Sequence, residues 1–469
     1  MRLSPLLLAL ALSGCVNLAP DYQRPVAPVA AQWPTTTINS ATPADIGWQS
    51  LFIDTRLRDT VAQALDNNRD LRVAALNVEY QRAQYRIQRA ELFPAVSATA
   101  DGARERALSN GTTAISSQYS AGLGISSYEL DLFGRLRNLK DAALEQYLSL
   151  DQTRRSTQLS LVAEVATAWM TLAADQQLLK LANDTFTSQQ KTYALVQQSH
   201  SLGGESGVSL AQARSTVESA RADAANYASQ VEQDRNALEL LVGQRLDDKL
   251  LPGDNPLDST LLVSVPAGLP SALLQRRPDV LAAEHTLKAA NADVGAARAA
   301  FFPSITLTAS GGSASSELGG LFKGGSGAWS FAPSINLPIF NAGSNRASLD
   351  AAKVSSQIEV ATYEKTIQTA FSEVADALSV RAHITERLDA QRSQTEATDT
   401  AYKLALALYK QGSESFLDVL DAQRSLYTAQ QSLIGLKLTE QTNRVTLYKS
   451  LGGEWQTAVR PADTSRPAT

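Results

Sequence analysis

The sequence predicts a mixed α and β membrane protein that is internally duplicated, with four transmembrane β-strands and several long α-helices in each protomer. Three observations support this prediction: a tandem repeat, four segments of alternating apolar residues, and two very long helical segments. The repeat is clearest where residues 298–309 repeat residues 89–100, with 6 of 12 positions identical at an offset of 209. The same offset relates Gly203 to Gly412. A period of this length indicates one tandem duplication and not a solenoid.

Each copy of this repeated stretch changes its hydrophobic period at a proline. Before Pro94 and Pro303 the residues are Ala-rich, with apolar positions three and four apart, and after these prolines small polar and apolar residues alternate. Since proline cannot continue a helix and favours extended geometry in the residue before it, a helix is predicted to lead into a strand at each site.

Four strands are predicted, in β-hairpins at 95–130 and 304–337. Alternation is clearest in the last strand, where Trp329 and Phe331 face one way and Ser330 the other, and it is weakest in the first. Strands of about ten residues with one apolar and one small polar face suit a transmembrane barrel, and the smallest such barrels have about eight strands. Because open edges are not tolerated in lipid, several copies are expected to share one barrel.

A soluble protein with two hairpins packed on a core is the alternative interpretation of the strands. Hydrophobic residues make up 44% of the chain, but aromatic residues only 6%, so the helices offer the strands little to pack against. A transmembrane barrel is therefore favoured.

Very long helical hairpins follow each β-hairpin, at 134–243 and 343–453. Their outgoing segments, from Gly134 to about Leu202 and from Gly343 to about Gln411, contain no proline and no interior glycine. At a rise of about 1.5 Å per residue, each would reach roughly 100 Å. Their Gln and charged residues exclude membrane helices, and narrow stripes of Ala, Leu and Val are typical of coiled-coil seams.

The N-terminus has the pattern of an export signal. Residues 1–14 read as a signal peptide in which Arg2 precedes an apolar run, and Leu12-Ser13-Gly14-Cys15 resembles a bacterial lipoprotein cleavage site. Cys15 is the predicted lipidation site, with an ordinary signal peptide and an incidental cysteine as the alternative. The other predicted regions are a lipid anchor and Pro-rich leash at 15–50, the first repeat at 51–260, the second repeat at 261–455, and a disordered tail at 456–469.

The turns between outgoing and returning helices carry acidic residues. Glu414, Asp418 and Asp421 lie at or just after the second turn. Simple capping of a helix N-terminus accounts for such carboxylates individually. If several copies surround an axis, the same carboxylates form a ring that would select or gate charged solutes.

These residues together resemble the TolC-like outer-membrane factor family, in its lipid-anchored branch that serves as the outer-membrane channel of RND multidrug-efflux pumps. The resemblance rests on Arg276-Arg277-Pro278-Asp279-Val280-Leu281-Ala282-Ala283-Glu284 with the Phe301-Phe302-Pro303 stretch, and on Phe416-Leu417-Asp418-Val419-Leu420-Asp421-Ala422-Gln423. It covers the chain from Cys15 to about Trp455. It implies a homotrimer with a 12-stranded β-barrel continuous with a 12-helix periplasmic α-barrel, in the outer membrane of a Gram-negative bacterium.

The resemblance also implies partners and site residues. The partners are a periplasmic adaptor protein, an inner-membrane RND-type pump and outer-membrane lipid. The implied periplasmic gate comprises Tyr409, Glu414, Asp418, Asp421 and Ser209, and the implied adaptor-docking tips comprise Leu202, Gly203, Gly204, Gln411, Gly412 and Ser413. Some family members have a basic residue in place of Glu414 and an aspartate in place of Ser209. We therefore expect a gate closed by packing and by rings of aspartate, without an Arg to Asp pair.

Other functional classes fit the sequence less well. The three histidines show no metal-ligand spacing, and no phosphate-loop Lys-Ser/Thr follows Gly311-Gly312 or Gly324-Gly325, which are predicted to be loop glycines; an enzyme, a cofactor or a bound metal is therefore not expected. A net charge of −5 without a basic face argues against nucleic acid. Type I protein secretion, metal-ion efflux and a periplasmic coiled-coil scaffold stay as alternatives.

Overall fold

The structure is a computed structural model that describes residues 16–31, 33, 47–109, 112–259, 261–263 and 271–453. The predicted signal peptide at 1–14, the lipidation site Cys15 and the predicted tail at 456–469 lie outside the described residues.

Eight α-helices and four β-strands occur in the described residues. The first half contains α1 (Trp48–Leu51), α2 (Thr55–Asn67), α3 (Arg69–Ala90), β1 (Val96–Ser109), β2 (Thr112–Leu130), α4 (Arg135–Ser201) and α5 (Gly207–Val242). The second half contains α6 (Pro278–Ala299), β3 (Ser304–Ser315), β4 (Gly327–Asn336), α7 (Ser344–Lys410) and α8 (Phe416–Ser450). Four short 3-10 turns lie at Asp248–Leu250, Pro256–Asp258, Ser271–Arg276 and Leu318–Gly320. None of the described helices is long and apolar enough to cross a membrane.

The duplication is visible in the helix boundaries. The starts of α3 and α6 (69 and 278), of α4 and α7 (135 and 344), and of α5 and α8 (207 and 416) each differ by 209. The long helices α4 and α7 both contain 67 residues. The prediction of an internally duplicated protein with four strands and long helices is therefore confirmed.

The four strands form one antiparallel sheet in the order β1-β2-β3-β4. The register places Leu123 opposite Ala98 on one side and Gly311 on the other, and Gly311 opposite Trp329. One face therefore carries mainly apolar side chains, whereas the other carries mainly Ser, Thr, Gly and Ala together with a few charged or amide side chains such as Asp101 and Glu105. Among the described strands, β1 and β4 each have a neighbour on one side only. The sheet is thus open, with two free edges and one apolar face.

Gly311 and Gly312 correct one expectation from the sequence. They were predicted to be loop glycines, but they lie inside β3 and pair with Leu123 and Gly122. A Cβ atom on Gly312 would lie 2.2 Å from the carbonyl oxygen of Ala121. Glycine is needed here because two strand backbones approach closely.

The chain forms two compact units, and each unit contains residues of both repeats. The first unit is formed by the described residues within Met1–Ala27, Ala75–Gln152 and Leu281–Thr366, and the second by those within Pro28–Ala74, Thr153–Val280 and Ile367–Thr469. In the second unit Trp169 is fully buried and donates its indole N–H to the carbonyl of Leu250 at 2.9 Å. This buried aromatic residue anchors a core in which Leu57, Leu238 and Leu261 are also fully buried.

In the first unit, the described N-terminal residues are fastened along α6. Arg24 makes two hydrogen bonds to the Glu284 carboxylate, at 3.1 and 2.6 Å, and Tyr22 donates a third at 3.3 Å. The Glu284 side chain is only 4% exposed and also contacts Lys288 at 3.1 Å. Burial opposes its ionisation, but the bonds from Arg24 and Lys288 prevail, and the pKa of Glu284 lies below its ordinary value. Residues 16–24, which lie within the segment predicted to be a leash, therefore form a strap that a buried charge cluster holds along α6.

Candidate functional site: the paired helix tips

The long helices α4 and α7 each end in a turn of the same geometry. Gly203 and Gly412 have left-handed φ angles of 79° and 75°, in the position that glycine favours just after a helix. The Gly203 N–H donates to His200 O at 3.0 Å, and the Gly412 N–H donates to Tyr409 O at 2.9 Å. Gly204 and Ser413, the next residues, donate to the carbonyls of Ser199 and Leu408 at 2.9 and 3.0 Å. The two repeats therefore build one turn geometry twice.

Serine residues cap the returning helices. The Ser206 hydroxyl accepts the Ser209 N–H at 3.0 Å, and the Ser415 hydroxyl accepts the Asp418 N–H at 3.4 Å. Ser415 in turn donates to the Asp418 carboxylate at 2.5 Å. This bond is the main reason that the pKa of Asp418 lies below its ordinary value, although the carboxylate is fully exposed. Within the protomer, Asp418 thus completes a helix cap.

A small apolar core joins the two helical hairpins beneath the turns. Phe416, Val419 and Leu420 of α8 are buried together with Val196 of α4 and Ala213 of α5. Partly buried residues extend this core, namely Tyr193, Leu210, Tyr402, Ala405, Leu406 and Tyr409. The first turn of α8 is therefore fixed to the first hairpin by apolar burial.

Tyr409 makes a polar contact between the two helical hairpins just beneath the turns. Its hydroxyl donates to Glu205 Oε1 at 2.9 Å, and its ring lies 5.8 Å from that of Phe416. Burial, followed by the hydrogen bond and the negative charge of Glu205, raises the pKa of Tyr409 to about 12. The hydroxyl therefore stays protonated at physiological pH and can keep donating to Glu205.

The predicted gate residues are only partly brought together. Glu414, Asp418 and Asp421 are exposed on the protomer, and Ser209 is partly exposed. Tyr409 instead contacts Glu205, which the sequence did not assign to the gate. The available signal was the repeat itself, because Glu205 precedes Glu414 by the offset of 209.

The predicted docking residues form an exposed cap on both turns. Leu202, Gly203, Gly204, Gln411, Gly412 and Ser413 are all exposed. Three apolar side chains near these turns are also exposed: Leu202 (80%), Val208 (67%) and Leu417 (59%). Apolar groups presented on exposed turns are typical of a protein interaction site.

Further polar contacts join the hairpins away from the turns. Tyr427 of α8 donates to Asp223 of α5 at 3.3 Å, and Gln431 donates to the Tyr227 hydroxyl at 3.1 Å. Burial is the main cause that raises the pKa values of both tyrosines, and the negative charge of Asp223 adds to it. Both hydroxyls therefore remain protonated and available for these bonds.

Asp175 of α4 and Asp234 of α5 form an acid pair within the first hairpin. Burial, followed by a hydrogen bond to Asp234 and its charge, raises the pKa of Asp175 to about 7. The Asp234 Oδ2 atom is buried and accepts no hydrogen bond from another described residue. A proton on Asp175 supplies that missing donor, so the pair holds one proton below about pH 7.

Comparison with known proteins identifies the family. Residues 60–244 and 269–453 each match the outer membrane efflux protein family. The chain belongs to this family. The two matched ranges begin 209 residues apart, at the offset of the internal repeat.

Individual relatives agree with this assignment. The chain is 53% identical to the toluene efflux pump outer membrane protein TtgC of Pseudomonas putida, over 95% of this chain and 94% of that protein. It is 42% identical to the cation efflux system protein CusC of Escherichia coli, over 97% and 99% of the two chains. The crystal structure of the open state of the Neisseria gonorrhoeae MtrE outer membrane channel superimposes with a TM-score of 0.86 at 42% identity, covering 94% of this chain and 99% of that one.

These findings confirm the predicted fold, the predicted outer-membrane location and the predicted role in efflux. The protein is an outer-membrane efflux protein with a mixed α and β fold. Members of its family are channel proteins. Among the residues that the structure describes, no group of three or more His, Cys, Asp or Glu side chains could hold a metal ion.

Proposed function

We propose that three copies of this chain form the exit duct of a tripartite efflux pump, through which drugs or other small toxic compounds leave the periplasm passively. The observation that carries the proposal is the open four-stranded sheet, with one apolar face and free edges on β1 and β4. In lipid the unpaired N–H and C=O groups of both edges require partners. Pairing β1 of one copy with β4 of the next satisfies them, and three copies supply twelve strands.

The mass of the purified protein in detergent and its single-channel conductance in planar bilayers test this proposal together. We expect a trimer that gives small, cation-preferring openings. A monomer without conductance would contradict it and favour the coiled-coil scaffold. The proposal also includes lipidation of Cys15 as a membrane anchor. Mass spectrometry of the mature N-terminus tests this modification.

The proposed partners are a periplasmic adaptor, which docks on Leu202, Gly203, Gly204, Gln411, Gly412 and Ser413, and an inner-membrane RND-type pump. The exposed apolar side chains at both turns support this docking. Because the two turns have the same geometry, each protomer offers two similar docking positions. Crosslinking from a cysteine placed at Gln411 to a co-expressed adaptor tests the contact, with the exposed residue Gln233 of α5 as the control position.

Organic compounds are the favoured substrate class, because a relative at 53% identity is a toluene efflux pump protein. Cation efflux is the second candidate, since CusC is 42% identical. Expression in a strain that lacks its own channel separates the two. Restored tolerance to toluene and antibiotics supports the first, and restored tolerance to metal cations alone supports the second.

The proposed periplasmic gate comprises Tyr409, Glu414, Asp418, Asp421 and Ser209, and we add Glu205 on the basis of its bond to Tyr409. Packing around Phe416 and this hydrogen bond hold the two hairpins together, and rings of aspartate from three copies supply the charge. Asp418→Ala tests the electrostatic part through single-channel conductance. We expect a weaker cation preference, and unchanged conductance and selectivity would refute the role of the aspartate ring.

A further inference from the structure

Two arginines interrupt the apolar face of the sheet. Along β1 the apolar face carries Val96, Ala98, Ala100 and Gly102, which pair with Ile125, Leu123, Ala121 and Tyr119 of β2. Arg104 and Arg106 continue the same face, since alternate residues of a strand point to one side. They pair with Ser117 and Ile115, and both are exposed.

Neither guanidinium has a partner within the part of the protomer that the structure describes. Arg104 and Arg106 make no ion pair or side-chain hydrogen bond with a described residue, and Glu105 lies on the opposite face of the strand. On a lipid-facing surface an unpaired arginine costs roughly 2–4 kcal/mol at the membrane midplane and about 0–1 kcal/mol near the interfaces. Two such residues on one face therefore indicate a position at the membrane boundary and a partner of opposite charge.

The length of the strand places both arginines at that boundary. From Pro94, where α3 has ended, to Arg104 there are ten residues, and at a rise of about 3.4 Å and a tilt of about 40° they span roughly 26 Å. The apolar band of a transmembrane barrel is about 25 Å tall and is bordered by aromatic residues. The Tyr119 ring occupies this border, where it covers Gly102 so closely that a Cβ there would lie 3.2 Å from Tyr119 Cδ1.

We propose that Arg104 and Arg106 form a binding site for the phosphate groups of a lipid headgroup in the outer leaflet of the outer membrane. The proposal rests on the proposed function, which makes this face of the sheet the lipid-facing one. The Cα atoms of Arg104 and Arg106 are one pleat repeat apart, about 7 Å along the strand. Arginine binds phosphate through paired N–H donors, and its long side chain can extend from the band edge to the headgroup layer.

The second repeat shows that the fold itself does not require these arginines. At the offset of 209 the corresponding residues are Ser313 and Ser315, which lie on the same face of β3. The site therefore occurs once per protomer, on β1, the edge strand that pairs with β4 of the next copy in the proposed trimer. The same comparison indicates that serine is compatible with the strand at these positions.

Native mass spectrometry of the full-length protein in detergent tests the site, with diphosphoryl lipid A as the probe. R104S/R106S introduces the residues of the other repeat, and R104K/R106K keeps the charge without the paired donors. R221S is the matched control, because Arg221 is an exposed arginine of α5, with a side chain 69% exposed. We expect the serine variant to bind at least about tenfold more weakly, since a hydrogen bond to a charged group corresponds to about that factor. The lysine variant should be intermediate and R221S unchanged.

Three outcomes would overturn the proposal. The first is that the wild-type protein and the serine variant bind diphosphoryl lipid A equally, and the second is that the wild-type protein binds diphosphoryl lipid A and its fully dephosphorylated form equally. Displacement by inorganic phosphate at an equal phosphate concentration would also overturn it, because the site would then take a free anion. Single-channel conductance of the same preparations distinguishes a failure of the lipid site from a failure of the proposed channel function. Openings without phosphate-dependent lipid binding refute only the site, whereas absent openings refute the channel.

Discussion

The hydrogen bond between Tyr409 and Glu205 offers the most direct test of how the tip stays closed. Tyr409→Phe removes the hydroxyl that donates to Glu205 Oε1 at 2.9 Å and retains the ring that packs near Phe416. A hydrogen bond to a charged acceptor contributes about 1.5–3 kcal/mol when buried. Both partners are partly exposed, so about 1 kcal/mol is the expected loss for each protomer.

The free energy lost with this hydrogen bond determines how much the ratio of open to closed channels increases. If the hairpins of each protomer separate independently, a loss of about 1 kcal/mol raises the open-to-closed ratio about fivefold. If three protomers open together, the losses add and the ratio rises about 100-fold. Open probability in planar bilayers measures this ratio, and its size distinguishes independent from concerted opening.

Two controls make the result interpretable. Tyr80→Phe removes the hydroxyl of an α3 tyrosine that is 64% exposed, and it should leave gating unchanged. Glu205→Gln retains an acceptor but loses the charge, so its effect should be smaller than that of Tyr409→Phe. An open probability equal to that of the wild type in Tyr409→Phe would refute the reasoning. So would additive effects in the double variant, because two residues that share one bond must be coupled.

Three further changes test other parts of the structure. In the wild-type protein, stability should fall as pH rises from 3.8 to about 7, because the folded pair of Asp175 and Asp234 holds a proton that the unfolded chain has released. Asp175→Asn should remove this pH dependence. Because solvent screens this partly exposed pair, we expect the free energy of unfolding to change by about 1 kcal/mol across the window, measured from the melting temperature below and above it. Arg24→Ala leaves the buried Glu284 with Lys288 as its remaining cation and should lower the free energy of unfolding by about 2 kcal/mol, measured by denaturant unfolding. A change below about 0.5 kcal/mol would show that this charge does not hold the strap. Gly312→Val places a side chain against the Ala121 backbone and should reduce the trimer fraction in detergent, whereas normal assembly would mean that the strands can separate there.

Helix boundaries were well predicted because local chemistry determines them. Pro94 and Pro303 cannot continue a helix, and Gly203 and Gly412 supply the left-handed residue that ends one. The long segments between them have no interior residue that favours termination. The structure accordingly places α4 at Arg135–Ser201 and α7 at Ser344–Lys410, within one residue of the predicted segments.

Contacts between the hairpins could not be predicted in the same way. The bond from Tyr409 to Glu205 joins residues 204 positions apart and depends on how α7 lies against α4. The sequence analysis grouped Tyr409 with Asp418 and Asp421, which lie on α8, the next helix along the chain. Likewise, the composition of Gly311-Gly312 favours a loop, and only the register with Gly122 shows why a strand needs glycine there.

β1, the strand with the weakest alternation, also shows that contacts with neighbouring elements determine structure that the residue pattern alone does not predict. Arg104 and Arg106 lower the apolar periodicity of β1, yet its pairing with β2 continues from Val96 to Ser109. Pairing with an adjacent strand fixes the face of each residue, whatever its polarity. The first repeat has arginine where the second has Ser313 and Ser315, and the tips differ in the same way, with Ser209 where the second repeat has Asp418. Since the repeats share one backbone geometry, such differences mark positions where one copy has acquired a chemistry that folding does not demand, and those positions are where selection for function can be sought.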